Sequence, residues 1–329
     1  GEVCVWADGL SLHCKSLAPP PEKFHGLSDP ELRYRHRYMD MYANPETVAT
    51  FHARSTIISA IRAFMDGRNF LEVETPMMQP VPGGAAARPF VTHHNTLDMA
   101  LFLRIAPELY LKRLLVGGMR RVYEINRNFR NEGISRRHNP EFTMLEAYEA
   151  FGDCETMMAL TEDMVRTAAL AVGDAAAMPF GSDTINYSRP FDQQSYGDLF
   201  EKAMGFAMSD EASVRRWCTE HGVEDAKSRD HWLLVGAIFD MKVEETIEAA
   251  RPTFVTGFPS AISPLTRPSV DDPNISLRWE LFIGGMEIAN AYTELNDPDL
   301  QLQKFTEQLQ GQDEETAAFR NLDEDFIEA

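Results

Sequence analysis

The chain has no pair of cysteines at CxxC spacing. Its four cysteines, Cys4, Cys14, Cys154 and Cys218, lie far apart, which argues against a zinc site or a disulfide framework and fits a reducing compartment. It has neither a Walker A loop nor a GxGxxG turn, so the P-loop and Rossmann ways of cradling phosphates are disfavoured. No apolar run is long enough to span a bilayer and no signal peptide is visible, so no membrane association and a cytoplasmic location are expected. Basic residues are outnumbered, 31 Lys and Arg against 51 Asp and Glu, for a net charge of −20. That balance argues against broad, sequence-independent binding of nucleic acid. Local basic groups remain at Arg33, Arg35, His36 and Arg37 and at Arg113, Arg120 and Arg121, and each also reads as a solvated face or a structural ion pair. There is no internal repeat, and no low-complexity segment beyond an acidic tail.

What is present is enough apolar residue, 44% of 329, for one large domain or two smaller ones. Residues 2–17 read as two short strands around Asp8-Gly9, too little to fold alone, and Pro19-Pro20-Pro21 marks a linker taken to run over 18–44. From 45 to 66 the pattern is helical. Asn44 stands at the cap, Pro45 at the first position, and Val48, Phe51, Ile58, Ile61 and Met65 follow at spacings of three, four or seven, with Gly67 at the end. An extended run from Phe70 to Pro76 ends in a proline that suits an edge strand. Residues 89–104 read as strands, and His93 and His94 there point to opposite faces. Pro107 to Val116 reads as a helix, 121–130 and 141–150 as a hairpin, Cys154 to Val172 as an amphipathic helix and 198–250 as a mostly helical insertion. A strand and loop at 252–265, a second hairpin over 277–294 turned at Gly284-Gly285, and an acidic helix from Pro298 complete the chain. Hairpins interleaved with helices predict an antiparallel sheet of α+β type.

Strand alternation sorts the hairpin residues by face. Phe142, Met144, Glu146 and Tyr148 share one face of the second strand, with Thr143, Leu145 and Ala147 on the other. On the first strand Glu124, Asn126, Asn128 and Arg130 fall together. A solvated face would explain the polar residues but not Phe142 and Tyr148. The stretch from Phe129 to Thr143, with Arg130, Glu132 and a loop through Gly133, is built to hold a nucleotide: a cation for phosphate, an acceptor for a base amine and a ring for stacking. In the second hairpin Glu280 and Phe282 precede the turn, while Asn290, Tyr292 and Glu294 share a face after it. Glu280 and Glu287 flank the turn, and two close carboxylates repel unless a cation such as magnesium lies between them. An exposed pair in water is the alternative. Gly83-Gly84 is either a loop over a ligand or a plain turn.

Taken together these residues resemble class II lysyl-tRNA synthetases of the bacterial type, from about Leu12 to the last residue. Helix 45–66 with Phe70 to Pro76 looks like the first class II motif, a dimer-interface element, and Phe129 to Glu149 looks like the second. The runs Ile105 to Arg113 and Arg127 to Ser135 match, and the combination with Glu108, Glu146, Tyr148, Asn290 and Glu294 is the lysine-specific part. The resemblance implies an antiparallel sheet flanked by helices, a homodimer, activation of L-lysine by ATP with Mg2+, and transfer of lysine to tRNA(Lys). It further implies that Arg130 contacts the α-phosphate and the lysine carboxylate, Glu132 the adenine amine, Phe142 the adenine ring, and His138 and Asn139 the phosphates. Glu280 and Glu287 would hold magnesium. Glu108 would take the lysine α-amine, with the Gly84 backbone nearby, and Glu146, Tyr148, Asn290, Tyr292 and Glu294 would line the side-chain pocket. Tyr292 stands where the family has phenylalanine.

Two departures bear on activity. The family's N-terminal anticodon-binding barrel is represented only by a remnant at 1–17, leaving a catalytic domain over 45–329. The third class II motif, glycine-rich and ending in Asp-Arg, is absent, for no glycine follows Gly311. The chain opens on Gly1 rather than methionine, and both ends are expected to be cut. The expectation is an active gene product and a nearly inactive piece, with the arginine for the second face of adenine missing. Two other readings stand beside it: a paralogue that lysylates elongation factor P, and a non-catalytic dimeric module that binds lysine or ATP.

Overall fold

The computed structural model describes residues 3–15, 17, 26–85, 87–135, 138–188, 190–310 and 324–328. The chain divides into two compact units, Gly1–Ser59 and Ala60–Ala329. In the first, the hairpin expected around Asp8-Gly9 does not form among the described residues: 3–15 carry no strand, and Val3, Trp6 and Leu10 are almost wholly exposed. Two strands with nothing to bury against gain too little to order themselves. The linker expected over 18–44 is, in its described part, largely helical. Helix α1 (Pro30–Arg35) starts at Asp29, whose carboxylate accepts from the Glu31 and Leu32 N–H groups, with Pro30 at the first position. Helix α2 (Arg37–Ala43) follows, then α3 (Pro45–Gly67). These helices are organised by one buried carboxylate. Asp40 accepts from Arg33 Nε and Asn44 Nδ2, both at 2.7 Å, and from Thr47 Oγ1 at 3.2 Å, and it also pairs with Arg37. Two arginines of the first basic run are therefore structural. Asn44, expected to cap α3, instead turns its amide toward Asp40 and the Leu27 carbonyl.

In the second unit the chain runs β1 (Leu71–Glu72), β2 (Met78–Gln79), β3 (Val91–His94), β4 (Met99–Leu103), α4 (Glu108–Val116), β5 (Arg121–Phe129), β6 (Glu141–Glu149) and α5 (Cys154–Val172). It continues through β7 (Met178–Phe180), β8 (Asp183–Ile185), β9 (Asp192–Ser195), α6 (Tyr196–Met204), α7 (Glu211–Glu220), α8 (His231–Ile238), β10 (Thr253–Thr256), β11 (Arg278–Ile283), β12 (Met286–Tyr292), α9 (Pro298–Gln310) and α10 (Glu324–Glu328). The class is α+β, but the expected antiparallel sheet is divided and mixed. The described strands form sheets ordered β1-β5-β6, β12-β11-β10-β9, β2-β4-β3 and β7-β8. Pairs β1–β5 and β9–β10 are parallel, because in each the chain passes through helices before returning to the sheet. The short β1 lies at an edge, as Pro76 required.

Helix α5 joins the two larger sheets. Its Leu160 and Met164 pack with Met65, Phe70 and Tyr123 under the β5–β6 hairpin, while Met158 and Val165 pack with Phe254, Trp279 and Leu281 under β10–β11; Met157 touches both clusters. Trp279 Nε1 donates to the Cys154 carbonyl at 2.6 Å, and the Cys154 N–H donates to Thr293 Oγ1 at 3.0 Å, fixing the start of α5 on the second hairpin. The insertion is helical as expected, and α6, α7 and α8 bury Phe200, Val214, Leu234 and Ile238 against Val255 and Phe282. The second hairpin turns through Gly284 and Gly285 at φ 64° and 69°, the left-handed pair that a two-residue hairpin turn requires.

Candidate active site

The β5–β6 register settles which side chains share a face. Glu124 lies opposite Glu146, Asn126 opposite Met144 and Asn128 opposite Phe142. The polar sets read from the two strands thus form one continuous surface, while Ile125, Leu145 and Ala147 pack on the core side. This surface is buried rather than solvated: Glu124, Asn126 and Asn128 are 3%, 6% and 0% exposed. The amide nitrogens and oxygens of Asn126 and Asn128 have no hydrogen-bond partner among the described residues. Buried amides without partners are costly in a finished core and are expected beneath a polar ligand. Glu124 is held otherwise, by Arg104 Nη1 and Thr75 Oγ1, each at 2.7 Å. Arg104, 2% exposed, also donates to the carbonyls of Thr75 and Arg127. The sequence reading missed this arginine, which lies just before α4 and locks the strand that carries the site.

At the open end of the hairpin the Arg130 guanidinium lies over the Phe142 ring, 5.2 Å from its centroid. Its backbone N–H donates to the Pro140 carbonyl at 2.9 Å, which closes the loop. Cation and ring, expected at the α-phosphate and the adenine, are therefore in contact with each other. Glu132, His138 and Asn139 follow on the exposed loop, where Ser135 Oγ and His138 Nδ1 are 2.8 Å apart.

The tightest cluster belongs to the residues expected around an amino acid. Glu108, in the first turn of α4, is 6% exposed. A side chain on Gly84 would bring its Cβ to 2.9 Å from the Glu108 Cβ, and Gly84 has φ +85°, so only glycine brings that loop against the carboxylate. Glu108 accepts from the Tyr292 hydroxyl and from Lys112 Nζ at 2.6 Å. Lys112 Nζ reaches Glu294 at 2.7 Å. Across the pocket the Tyr148 hydroxyl donates to Glu146 at 3.0 Å. Burial, reinforced by the charge of Glu108, pushes the Glu146 carboxyl up to about 8. Burial likewise raises Glu294, against the pull of Lys112. Burial among these carboxylates holds both tyrosines, Tyr148 and Tyr292, well above their ordinary range and therefore neutral donors. Burial alone would lower Lys112, but Glu108 and Glu294 outweigh it and its pKa is raised. Lys112 is absent from the sequence-based site, although its i,i+4 spacing from Glu108 was visible. Asn290, expected in this pocket, instead donates from its amide to Glu287 at 2.9 Å.

The second hairpin pairs Glu280 with Asn290 and Phe282 with Glu287 across a bulge. Glu280 is engaged by Arg278. Its pKa is raised by burial, which Arg278 opposes and Glu287 and Asp240 reinforce. Asp240, from the helical segment Phe239–Val243, is a third carboxylate in the same field that the sequence reading did not include. Such oxygen donors suit magnesium, which takes one or two carboxylates and completes its shell with water and phosphate oxygens. Among the described residues no three His, Cys, Asp or Glu side chains are arranged to ligate a metal, so a cage made only of protein groups is not what this pair offers.

Residues 29–329 match the family of tRNA synthetases class II (D, K and N), and the chain belongs to it. Among the curated relatives it resembles, the lysine–tRNA ligase of Carboxydothermus hydrogenoformans is 48% identical over 332 residues, all of this chain and 68% of the relative. The lysine–tRNA ligase of Syntrophomonas wolfei is 48% identical over 334 residues, again all of this chain and 67% of the relative. That of Cronobacter sakazakii is 47% identical over 334 residues, covering this whole chain and 66% of the relative. The chain thus spans about two thirds of the length of these relatives.

Proposed function

We propose that this chain carries the amino-acid-activating site of a lysine–tRNA ligase, which joins L-lysine to ATP as lysyl-adenylate and passes the lysyl group to tRNA(Lys). The observation that carries this reading is the enclosed cluster of Glu108, Glu146 and Glu294 with the hydroxyls of Tyr148 and Tyr292. A buried ammonium needs a carboxylate and further acceptors, and this pocket supplies both for a ligand with two ammonium groups. In this reading Glu108, with the Gly84 backbone beside it, receives the α-amine. Glu294, Glu146, Tyr148 and Tyr292 receive the side-chain ammonium, with Asn290 at the margin. Arginine, with its wide planar fork, fits such a slot poorly.

ATP lies along the β5–β6 hairpin, its adenine on Phe142 with Glu132 accepting from the base amine, and its phosphates against Arg130, His138 and Asn139. The lysine carboxylate attacks the α-phosphorus, the new P–O bond forms as the bond to the β-phosphate breaks, and pyrophosphate leaves. No general base is required, because the nucleophile is already ionised. Arg130 orients the carboxylate and neutralises charge on the α-phosphate, so positioning and electrostatics carry the step. Glu280 and Glu287 would hold magnesium, which supplies further neutralisation of phosphate charge when bound.

The same reading makes the protein a cytoplasmic homodimer that meets its partner through the first class II motif. Within that motif Phe51 and Leu71 are exposed apolar side chains. None of the described helices is long and apolar enough to cross a membrane. Calorimetric titration tests the amino-acid assignment: L-lysine is expected to bind at one site, and L-arginine at least about tenfold more weakly. Equal affinity for the two would overturn the reading.

A further inference from the structure

Lys112 is a buried cation in a pocket whose ligand is itself cationic. It contacts two of the carboxylates that the proposed function sets aside for lysine, Glu108 at 2.6 Å and Glu294 at 2.7 Å, and its Nζ lies 5.5 Å from the Tyr292 ring centroid. Two roles are open to such a group. It could stand in the ligand's place and leave when lysine enters, or it could remain and hold the carboxylates for the ligand.

Burial and charge distinguish the two. The Lys112 and Glu108 side chains are only 10% and 8% exposed, whereas Glu294 is 37% exposed. The internal ammonium is therefore enclosed, and Glu294 keeps an open side for an incoming group. A departing Lys112 would have to give up a buried ion pair with Glu108 and a half-exposed one with Glu294, and loss of the buried pair is strongly unfavourable. The count of charges agrees. Once an entering ammonium has drawn the proton from Glu146, whose carboxyl is otherwise pushed up to about 8 by burial, three carboxylates, Glu108, Glu146 and Glu294, face the two ammonium groups of lysine, and Lys112 supplies the third positive charge. The lysine carboxylate is left to Arg130, and the filled pocket is neutral.

We propose that Lys112 is a positioning and specificity-setting residue of the amino-acid pocket: it stays bound between Glu108 and Glu294 when lysine is present, and so tunes the cluster to a ligand with two ammonium groups rather than three. The proposal rests on the pocket being a lysine site. Among the described residues, groups from three other elements face Lys112 besides those of its own helix. Glu108 lies on its own helix, Tyr292 and Glu294 lie at the end of β12, and Glu146 and Tyr148 lie on β6. The Phe326 ring of α10 lies 5.8 Å away. Without Lys112 the carboxylates repel one another and hold a proton into a higher pH range, so lysine would bind weakly until that proton is lost.

The test is calorimetry of L-lysine and of ATP on this chain, at about pH 6.5 and about pH 8.5, for the unsubstituted protein, Lys112→Met and Lys112→Arg. Lys112→Met is expected to weaken lysine at least about tenfold at the lower pH and less at the higher, with ATP affinity unchanged. Lys112→Arg keeps the charge but not the shape, and is expected to keep the unsubstituted pH profile while recovering only part of the affinity. Equal or tighter lysine binding by Lys112→Met would overturn the proposal, since it would mean that Lys112 competes with the ligand. If Lys112→Met does not fold, Lys112→Arg decides alone: an unchanged pH profile of lysine binding supports the proposal, and a profile shifted to higher pH although the charge is kept overturns it. Absence of lysine binding by the unsubstituted chain would instead overturn the lysine-site reading, which is a separate outcome.

Discussion

Glu146 shows how much one side chain decides. Its carboxyl titrates near 8 rather than at the ordinary 4.5, chiefly because it is buried, with Glu108 adding to the effect. A carboxyl with a raised folded pKa binds more protons folded than unfolded between those two values. Its contribution to stability is therefore complete below about 4.5 and is lost as pH rises through 8. Glu146→Gln removes the penalty of charging this group. The ligand-free variant is expected to match the parent near pH 4.5 and to exceed it by up to about 5 kcal/mol above pH 8, with a higher thermal midpoint there. Melting curves at the two pH values check this, and a gain of equal size at both would remove the titration of Glu146 as its cause. The same substitution should weaken lysine binding, so stability and function pull in opposite directions at this position.

Among the elements, the β5–β6 hairpin is the part most readable in the sequence. Alternation put Phe142, Glu146 and Tyr148 on one face and Leu145 and Ala147 on the other, and the register sets Phe142 and Glu146 opposite Asn128 and Glu124 while Leu145 and Ala147 pack into the core. Helices α4 and α5 and the turn at Gly284-Gly285 were equally legible, because helical spacing and paired glycines are local signals. Less was legible where a residue's role depends on distant partners. Arg104 looked like one charge in a strand, and only its fourfold engagement with Thr75, Glu124 and Arg127 makes it structural. In the sequence Lys112 reads only as part of a helical turn, and its role depends on Glu294, which comes from the other end of the chain. The helices of 30–43 were missed because α1 and α2 are short and are fixed by Asp40 rather than by a long apolar stripe. Arg104→Leu is expected to cost about 3–5 kcal/mol, since it strands Glu124 as a buried charge. The double variant Arg104→Leu with Glu124→Leu should recover much of that loss. Denaturant midpoints for the two variants check the pair, and equal losses would deny the coupling.

At the scale of the molecule, helix α5 is the common floor of both sheets, and the pocket lies where their hairpins come within reach of α4. The bond from Tyr292 to Glu108 joins residues 184 positions apart, while Lys112 sits four positions from Glu108. The pocket is thus half local and half remote. A refolding chain can form α4 and the β5–β6 hairpin early, but it cannot complete the cluster of Glu108, Lys112, Tyr292 and Glu294 until the second hairpin has docked, and contacts of such long span form slowly. Stopped-flow refolding should show helical signal recovering first and lysine binding returning with the slowest phase. Simultaneous recovery would mean that the two halves assemble in a single step. A nascent chain that stops short of Tyr292 would carry the whole β5–β6 hairpin and still lack the hydroxyl and the carboxylate that meet Glu108 and Lys112.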